Sequence, residues 1–243
     1  MAPSLLEIAE APGAYVTPRH PQVVEGDGWV FVPLAPNFAA LQRVRVPADR
    51  LEAVRDEVRA LAAEREIPEV GWFRSELAEP QDLGERLGLE LRETLTVLAL
   101  QKPPEAQVAH EIREVTTFDD YVAAQQIDAI ANGWQVAEPE AYAEMWRVSL
   151  ERFALWIAHD DGVPVGMARC AVAGNAFVMI GGSVLPEARG RGVYRSLVSA
   201  RWAAARERGL DALVTSANSQ SGPILARLDF ERLGEIQVWS DDL

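Results

Sequence analysis

The chain is poor in the residues that most often build special sites. Cys170 is its one cysteine among 243 residues, which excludes an intramolecular disulfide and a cysteine-rich metal centre. Histidine occurs three times, as His20, His110 and His159, so neither a histidine metal set nor a cysteine–histidine nucleophile pair is expected. Cys170 reads instead as a small buried apolar residue on a strand. His159 reads as a surface residue at a strand end, and Asp160-Asp161 after it as hairpin-turn chemistry. Lys102 is the only lysine, so almost every cation is an arginine. No uninterrupted apolar run reaches membrane-spanning length. The first residues, MAPSLLEIAEAPGAY, lack a basic region before an apolar one, so no signal peptide is expected and a reducing cytoplasm is the expected compartment. The net charge of −14 and pI near 4.7 argue against nucleic acid, which needs a basic face. They suit a cationic or neutral small molecule better.

What remains is an ordinary soluble composition, 49% apolar and 25% charged, in a chain long enough for two small domains. From residue 107 onward the apolar spacing predicts β-α-α-β-β-β-α-β-α-β. Asp161-Gly162 and Gly174-Asn175 mark its hairpins, and Gly209 follows the end of its long helix. The first half predicts strands in VEGDGWVFVPLAP and LQRVRVP, then a long amphipathic helix, DRLEAVRDEVRALAAERE, with Asp49 as its cap. EVGWFRSE (strand), PQDLGERLG (short helix) and LELRETLTVLALQ (strand) follow, and residues 102–106 read as a linker. The halves match: IPEVGWFRSELAEP against LDALVTSANSQSGP, and ERLGLELRETLTVL against ARLDFERLGEIQVW. This predicts an internal duplication with domains at 1–104 and 105–243.

The halves differ most before the long helix, where only the second has PEARGRGVYRSL from Pro186. Glycines there admit positive φ and a close ligand approach, and the helix start offers unpaired N–H groups and partial positive charge. Together these make a cradle for a phosphate or pyrophosphate, with Arg189 and Arg191 adding charge-assisted contacts. No Gly-Lys-Ser/Thr follows, and the three-glycine dinucleotide spacing is absent. A plain turn with solvated arginines is the alternative.

The run VLPEARGRGVYRSL after a strand, then a strand leading to Asn218, then a helix ending Arg227-Leu228-Asp229-Phe230, resembles the GNAT acyltransferase superfamily. The first half looks like a degenerate copy, as in tandem-GNAT proteins. The resemblance implies an α/β (α+β mixed sheet) GNAT fold in two tandem GNAT-like domains, with acetyl-CoA as co-substrate and no metal. It implies that the backbone of Gly190, Arg191, Gly192, Val193, Tyr194 and Arg195, with Arg189 opening the motif, holds the CoA pyrophosphate. Gly182, Ser183 and Val184 would pair with the pantetheine arm, the Val184 amide would polarise the acetyl carbonyl, and Asn218 would contact the pantetheine. Two departures stand out. Tyr194 takes the place of a third Gly/Ala. Leu225 stands where the family often has an acid tyrosine, leaving Ser221 as a weak substitute. The fourth-strand stretch AFVMIGG carries no carboxylate base either.

In such a fold the acceptor site points to AIANGWQVAEPEAYAEMW, where Trp134 and Glu138 suit a cationic amine. The reading is acetyl transfer to a small-molecule or peptide primary amine by direct attack in a ternary complex. The rival is a CoA-binding sensor or interaction module with little transferase activity.

Overall fold

The computed structural model describes residues 2–105 and 109–243. The end of the expected linker at Ala106 and the start of the second element run at Gln107 lie outside the described residues. The chain forms two compact units. The first comprises residues 1–99 together with 216–226 and 231–243. The second comprises 100–215 and 227–230.

The first unit opens with two helices that periodicity did not reveal, α1 (Leu5–Glu10) and α2 (Pro12–Tyr15). Ser4 and Glu7 form a reciprocal capping box that starts α1, satisfying two otherwise unpaired amides. A short β1 (Val16–Thr17) follows, then β2 (Val24–Gly26), β3 (Trp29–Ala35) and β4 (Phe38–Gln42). The expected strand LQRVRVP is displaced toward β4, because Arg43 takes a φ of +53° and ends the pairing there. Val44 and Val46 beyond it are nonetheless buried. Asp49 does not cap α3 (Leu51–Glu64), because the chain enters it through a 3-10 turn at Ala48–Arg50 in which Arg50 N donates to Pro47 O. Leu51, Val54, Val58 and Ala62 bury one face of α3, the three-to-four spacing of an amphipathic helix.

After β5 (Glu69–Ser75), α4 (Leu83–Leu87) and β6 (Glu90–Leu100), the same unit takes up two segments from the far end of the chain. These are α8 (Gly222–Ala226) and β12 (Glu231–Asp242). β12 runs antiparallel to β5 on one side and to β6 on the other. The order β2-β3-β4-β5-β12-β6 therefore contains the last strand as an inner member. Arg59 of α3 clamps its end, Nη2 donating to Asp241 Oδ1 at 2.5 Å and Nε to Oδ2 at 3.1 Å. Trp239 of β12 joins a core with Phe31, Leu41, Val58 and Trp72.

The second unit contains β7 (Glu111–Glu114), α5 (Phe118–Asn132), α6 (Ala143–Arg152), β8 (Ala154–Asp160), β9 (Val163–Ala173), β10 (Ala176–Val184) and α7 (Val193–Glu207). Most of β11 (Ala212–Ala217) belongs here as well. β7 to β10 are antiparallel neighbours in chain order, and β11 adds in parallel beside β10. This is the order of elements expected from the sequence. Thr117 caps α5 through Asp120 N, and a left-handed Gly133 ends it. Asp161 and Gly162 both take positive φ between β8 and β9, as a two-residue hairpin turn of this twist requires. His159 departs from expectation: it is 6% exposed, because β8 is an inner strand with Glu111 and Pro164 as its neighbours.

On β9, Gly166 and Met167 face opposite sides. A Cβ at Gly166 would lie 2.8 Å from Val193 Cγ1 of α7, whereas Met167 packs with Tyr121 and Ile127 of α5. The sheet is thus sandwiched between α5 and α7.

In the first unit, a Cβ added at Gly84 of α4 would fall 2.2 Å from Trp239 Cδ2. Gly84→Ala is therefore expected to cost about 1–3 kcal/mol by overpacking, read as a lower urea midpoint. A midpoint unchanged or raised would mean that Trp239 does not seat there.

Candidate functional site

The site is built where β10 parts from β11. Their parallel pairing runs through Ala176↔Ala212, Phe177↔Leu213 and Val178↔Val214 and then stops. A register shift between Met179 and Gly181 breaks the pairing with β9 at the same level. Thr215 Oγ1 donates to Met179 O at 3.1 Å and closes the end of the paired stretch. Beyond it Gly182, Ser183 and Val184 remain paired with β9 only, opposite Ala168, Met167 and Gly166. On the side away from β9 no strand pairs with them, which leaves an edge along which an extended ligand could add as a strand.

The chain leaves β10 through Leu185 and a 3-10 turn at Pro186–Ala188, and Ala188 is fully buried. Gly190 and Gly192 then take φ of +77° and +84°. A Cβ at either would meet nothing within 4 Å, so the space before the loop is open and the glycines serve the backbone conformation. Gly192 occupies the cap position of α7, which no side chain caps. The first intrahelical bond is Ser196 N to Gly192 O at 3.0 Å. The amides of Val193, Tyr194 and Arg195 precede it and form, with the loop, a set of donors suited to an anion.

The two loop arginines have protein partners. Arg189 donates from Nε to Val184 O at 3.2 Å and from Nη2 to Ala131 O at 3.0 Å, tying the loop to β10 and to the end of α5. Arg191 pairs with Asp160, whose other oxygen lies 3.9 Å from His110 Nε2. Tyr194 turns its ring inward: a Cβ at Gly182 would lie 3.0 Å from Tyr194 Cε2 and 3.4 Å from Arg201 Nη1. Arg201 sits 5.5 Å from the Tyr194 ring centroid, within cation–π range. It is completely buried, with Nε donating to Leu197 O at 3.2 Å and Nη1 to Gly181 O at 3.3 Å.

On the α5 face, sequence reasoning missed a polar cluster of Gln125, Asp128 and Asn132 with Ser183 and Arg169. Its signal was present as polar residues at spacings of three and four, Gln125, Asp128 and Asn132, along α5. Trp134, 63% exposed, and the exposed Glu138 lie on the segment between α5 and α6. Asn218 and Ser221 belong to the first unit. There Asn218 Oδ1 accepts from Gln220 N, Ser221 N and Ser221 Oγ, so its side chain folds its own turn. Among the described residues no cluster of three or more His, Cys, Asp or Glu could hold a metal, and no helix is long and apolar enough to cross a membrane.

Residues 116–230 match the family model for acetyltransferase (GNAT) family. Over these residues the chain matches a GNAT domain. Solved structures extend the likeness to the whole fold. A GCN5-related N-acetyltransferase from Kribbella flavida matches with TM-score 0.68 at 17% identity, covering 99% of this chain and 96% of that one. One from Sphaerobacter thermophilus gives 0.66 at 15% identity over 88% and 76% of the two chains. A tandem GNAT protein from the clavulanic acid biosynthesis pathway gives 0.65 at 16% identity, covering 98% and 93%. At these identities the likeness is one of fold. No curated protein matches the chain.

Cys170, fully buried in β9, has its thiol pushed up to about 11 by burial, against a smaller opposing effect of the nearby Arg201. The neutral thiol is thus the folded-state form, and the stability this gives is complete below about pH 9. It falls as pH rises from there through about 11, by an amount on the order of 3 kcal/mol. Iodoacetamide at pH 8 should leave Cys170 unmodified until denaturant is added; rapid labelling of the folded protein would contradict its burial.

Proposed function

We propose that this chain is an acetyl-CoA-dependent N-acetyltransferase acting on a primary amine, with residues 105–243 as the working half and 1–104 as a copy without a CoA loop. The carrying observation is the conjunction of the parted β10–β11 edge with the uncapped, glycine-fronted start of α7. A pyrophosphate would take the amides from Gly190 to Arg195, and the pantetheine arm would lie along Gly182, Ser183 and Val184. The space open before Gly190 and Gly192 fits such a group. Arg189 acts by holding the loop to β10, and Tyr194 packs beneath the site rather than across the cradle.

The reaction would be direct attack of a neutral amine on the acetyl carbonyl, with the Val184 amide stabilising the oxyanion and the CoA thiolate leaving. The amine must first lose its proton. In the first half the chain passes from Pro47 through a 3-10 turn into α3 without a positive-φ glycine. One CoA per chain is the consequence.

One observation favours a second reading, a CoA-binding module with little turnover. Leu225, where the family often places an acid tyrosine, is 2% exposed and part of a core.

Calorimetry with CoA should give one site per chain, and Gly192→Asp should weaken binding at least tenfold through the strained φ and the added anion. Two sites per chain, or undiminished binding by the variant, would overturn the cradle. Thiol release from acetyl-CoA with any primary amine separates transferase from module.

A further inference from the structure

We propose that Asp128 and Ser183 form the binding site for the ammonium group of a cationic alkylamine acceptor, on the α5 side of β10; this rests on the acetyl-transfer reading. Ser183 Oγ donates to Asp128 Oδ1 at 2.6 Å, and Asn132 Nδ2 donates to the same oxygen at 3.0 Å. Both donors thus converge on Oδ1. Among the described residues Oδ2 accepts no hydrogen bond, its nearest cation being Arg169 Nη2 at 4.0 Å, beyond bonding reach. Arg169 Nη2 donates instead to Gln125 Oε1 at 3.3 Å, and its guanidinium lies 5.7 Å from the Phe153 ring centroid.

The Asp128 side chain keeps 20% of its surface exposed. A carboxylate that is partly desolvated, oriented by two donors on one oxygen and open on the other has free-energy reason to take a cation. An ammonium supplies both the charge and the donor.

Position makes that cation an acceptor once it has given its proton to solvent and become the neutral amine. Ser183 immediately precedes Val184, so an ammonium on this pair sits beside the β10 segment that β11 leaves unpaired. No carboxylate lies on β10 itself. By comparison, Glu138 is exposed and Trp134 stands largely in solvent, where an ion pair is worth little. The recognition set is one carboxylate, one hydroxyl and one amide. It is polar and small, which suits the end of an alkyl chain and gives nothing to an amine that is uncharged in water.

The test compares n-butylamine and 1,4-diaminobutane, both cationic at pH 7.5, with aniline, which is neutral there, in acetyl-CoA thiol release by the full chain. Asp128→Asn keeps the shape and removes the charge. The expected result is a fall of at least tenfold in the ratio of alkylamine to aniline kcat/KM, carried by KM, with CoA affinity by calorimetry within twofold of the parent. An unchanged ratio overturns the proposal, because a merely structural role would lower both substrates together. Saturable binding of n-butylamine to the CoA complex, followed by NMR, gives a readout independent of turnover. A parent protein that binds CoA but neither binds nor acetylates any alkylamine also overturns the proposal while leaving the CoA site standing. Failure to bind CoA would remove the reading beneath it.

Discussion

The close approach of α7 to β10 at Gly182 is the constraint on which the second unit turns. A side chain there would run into the Tyr194 ring and the Arg201 guanidinium, at 3.0 and 3.4 Å from its first carbon. With glycine in place, the helix lies near enough for a fully buried arginine to donate to Gly181 O. Among the described residues this guanidinium has no carboxylate partner, which is costly; the carbonyls of Leu197 and Gly181 and the Tyr194 face offset part of that cost, while Nη2 stays buried without a partner. The same arrangement fixes the strand's facing. With position 182 toward α7, position 183 turns toward α5, and Ser183 meets Asp128 there. Tyr194, which breaks the family's small-residue pattern, is thus accommodated by a glycine on the neighbouring strand.

The two packing units also differ from the expected halves in strand allegiance. Read linearly, the last strand closes the second half. In the structure β12 sits between β5 and β6 and is clamped by Arg59 through the buried Asp241. An inner strand needs partners on both edges, and its side chains must suit both faces. Ile236 and Val238 are buried and Trp239 enters the first unit's core. The expected repeat boundary at residue 104 therefore differs from the packing units, which group β12 with the first part of the chain.

Much of the second half could be read in advance because its signals are local. The loop glycines, the hairpin turns at Asp161-Gly162, and the end of α7 at Gly209 each state a backbone conformation by residue type. The chain order of elements followed from spacing. What escaped had non-local causes. β12's partners lie over a hundred residues away, and no periodicity encodes them. His159 looked like a strand end, but β7 covers its other side and buries it. Asp49 had the residue type of a cap, yet Pro47 set up a 3-10 entry instead. Asp128 was hidden in a helix whose polar stripe becomes meaningful only beside Ser183, fifty-five residues on.

The charges of the loop bear on how an anion would be held. Arginines beside a glycine loop suggest phosphate ligands, but Arg189 is bound to two carbonyls and Arg191 to Asp160. Freeing Arg189 would detach the loop from β10 and α5, so it is better employed as a brace. Arg191 is half exposed and can exchange Asp160 for a phosphate at little cost. The fixed donors are then the backbone amides. A charge-assisted hydrogen bond contributes roughly 1.5–3 kcal/mol, and the helix dipole roughly 0.3–1 kcal/mol for a surface charge. On the proposed reading, several amides converging on one pyrophosphate would outweigh both the dipole and a solvated arginine. Anion recognition on that reading would therefore depend on the two glycine φ angles that aim those amides, with Arg189 keeping the loop where the amides can act.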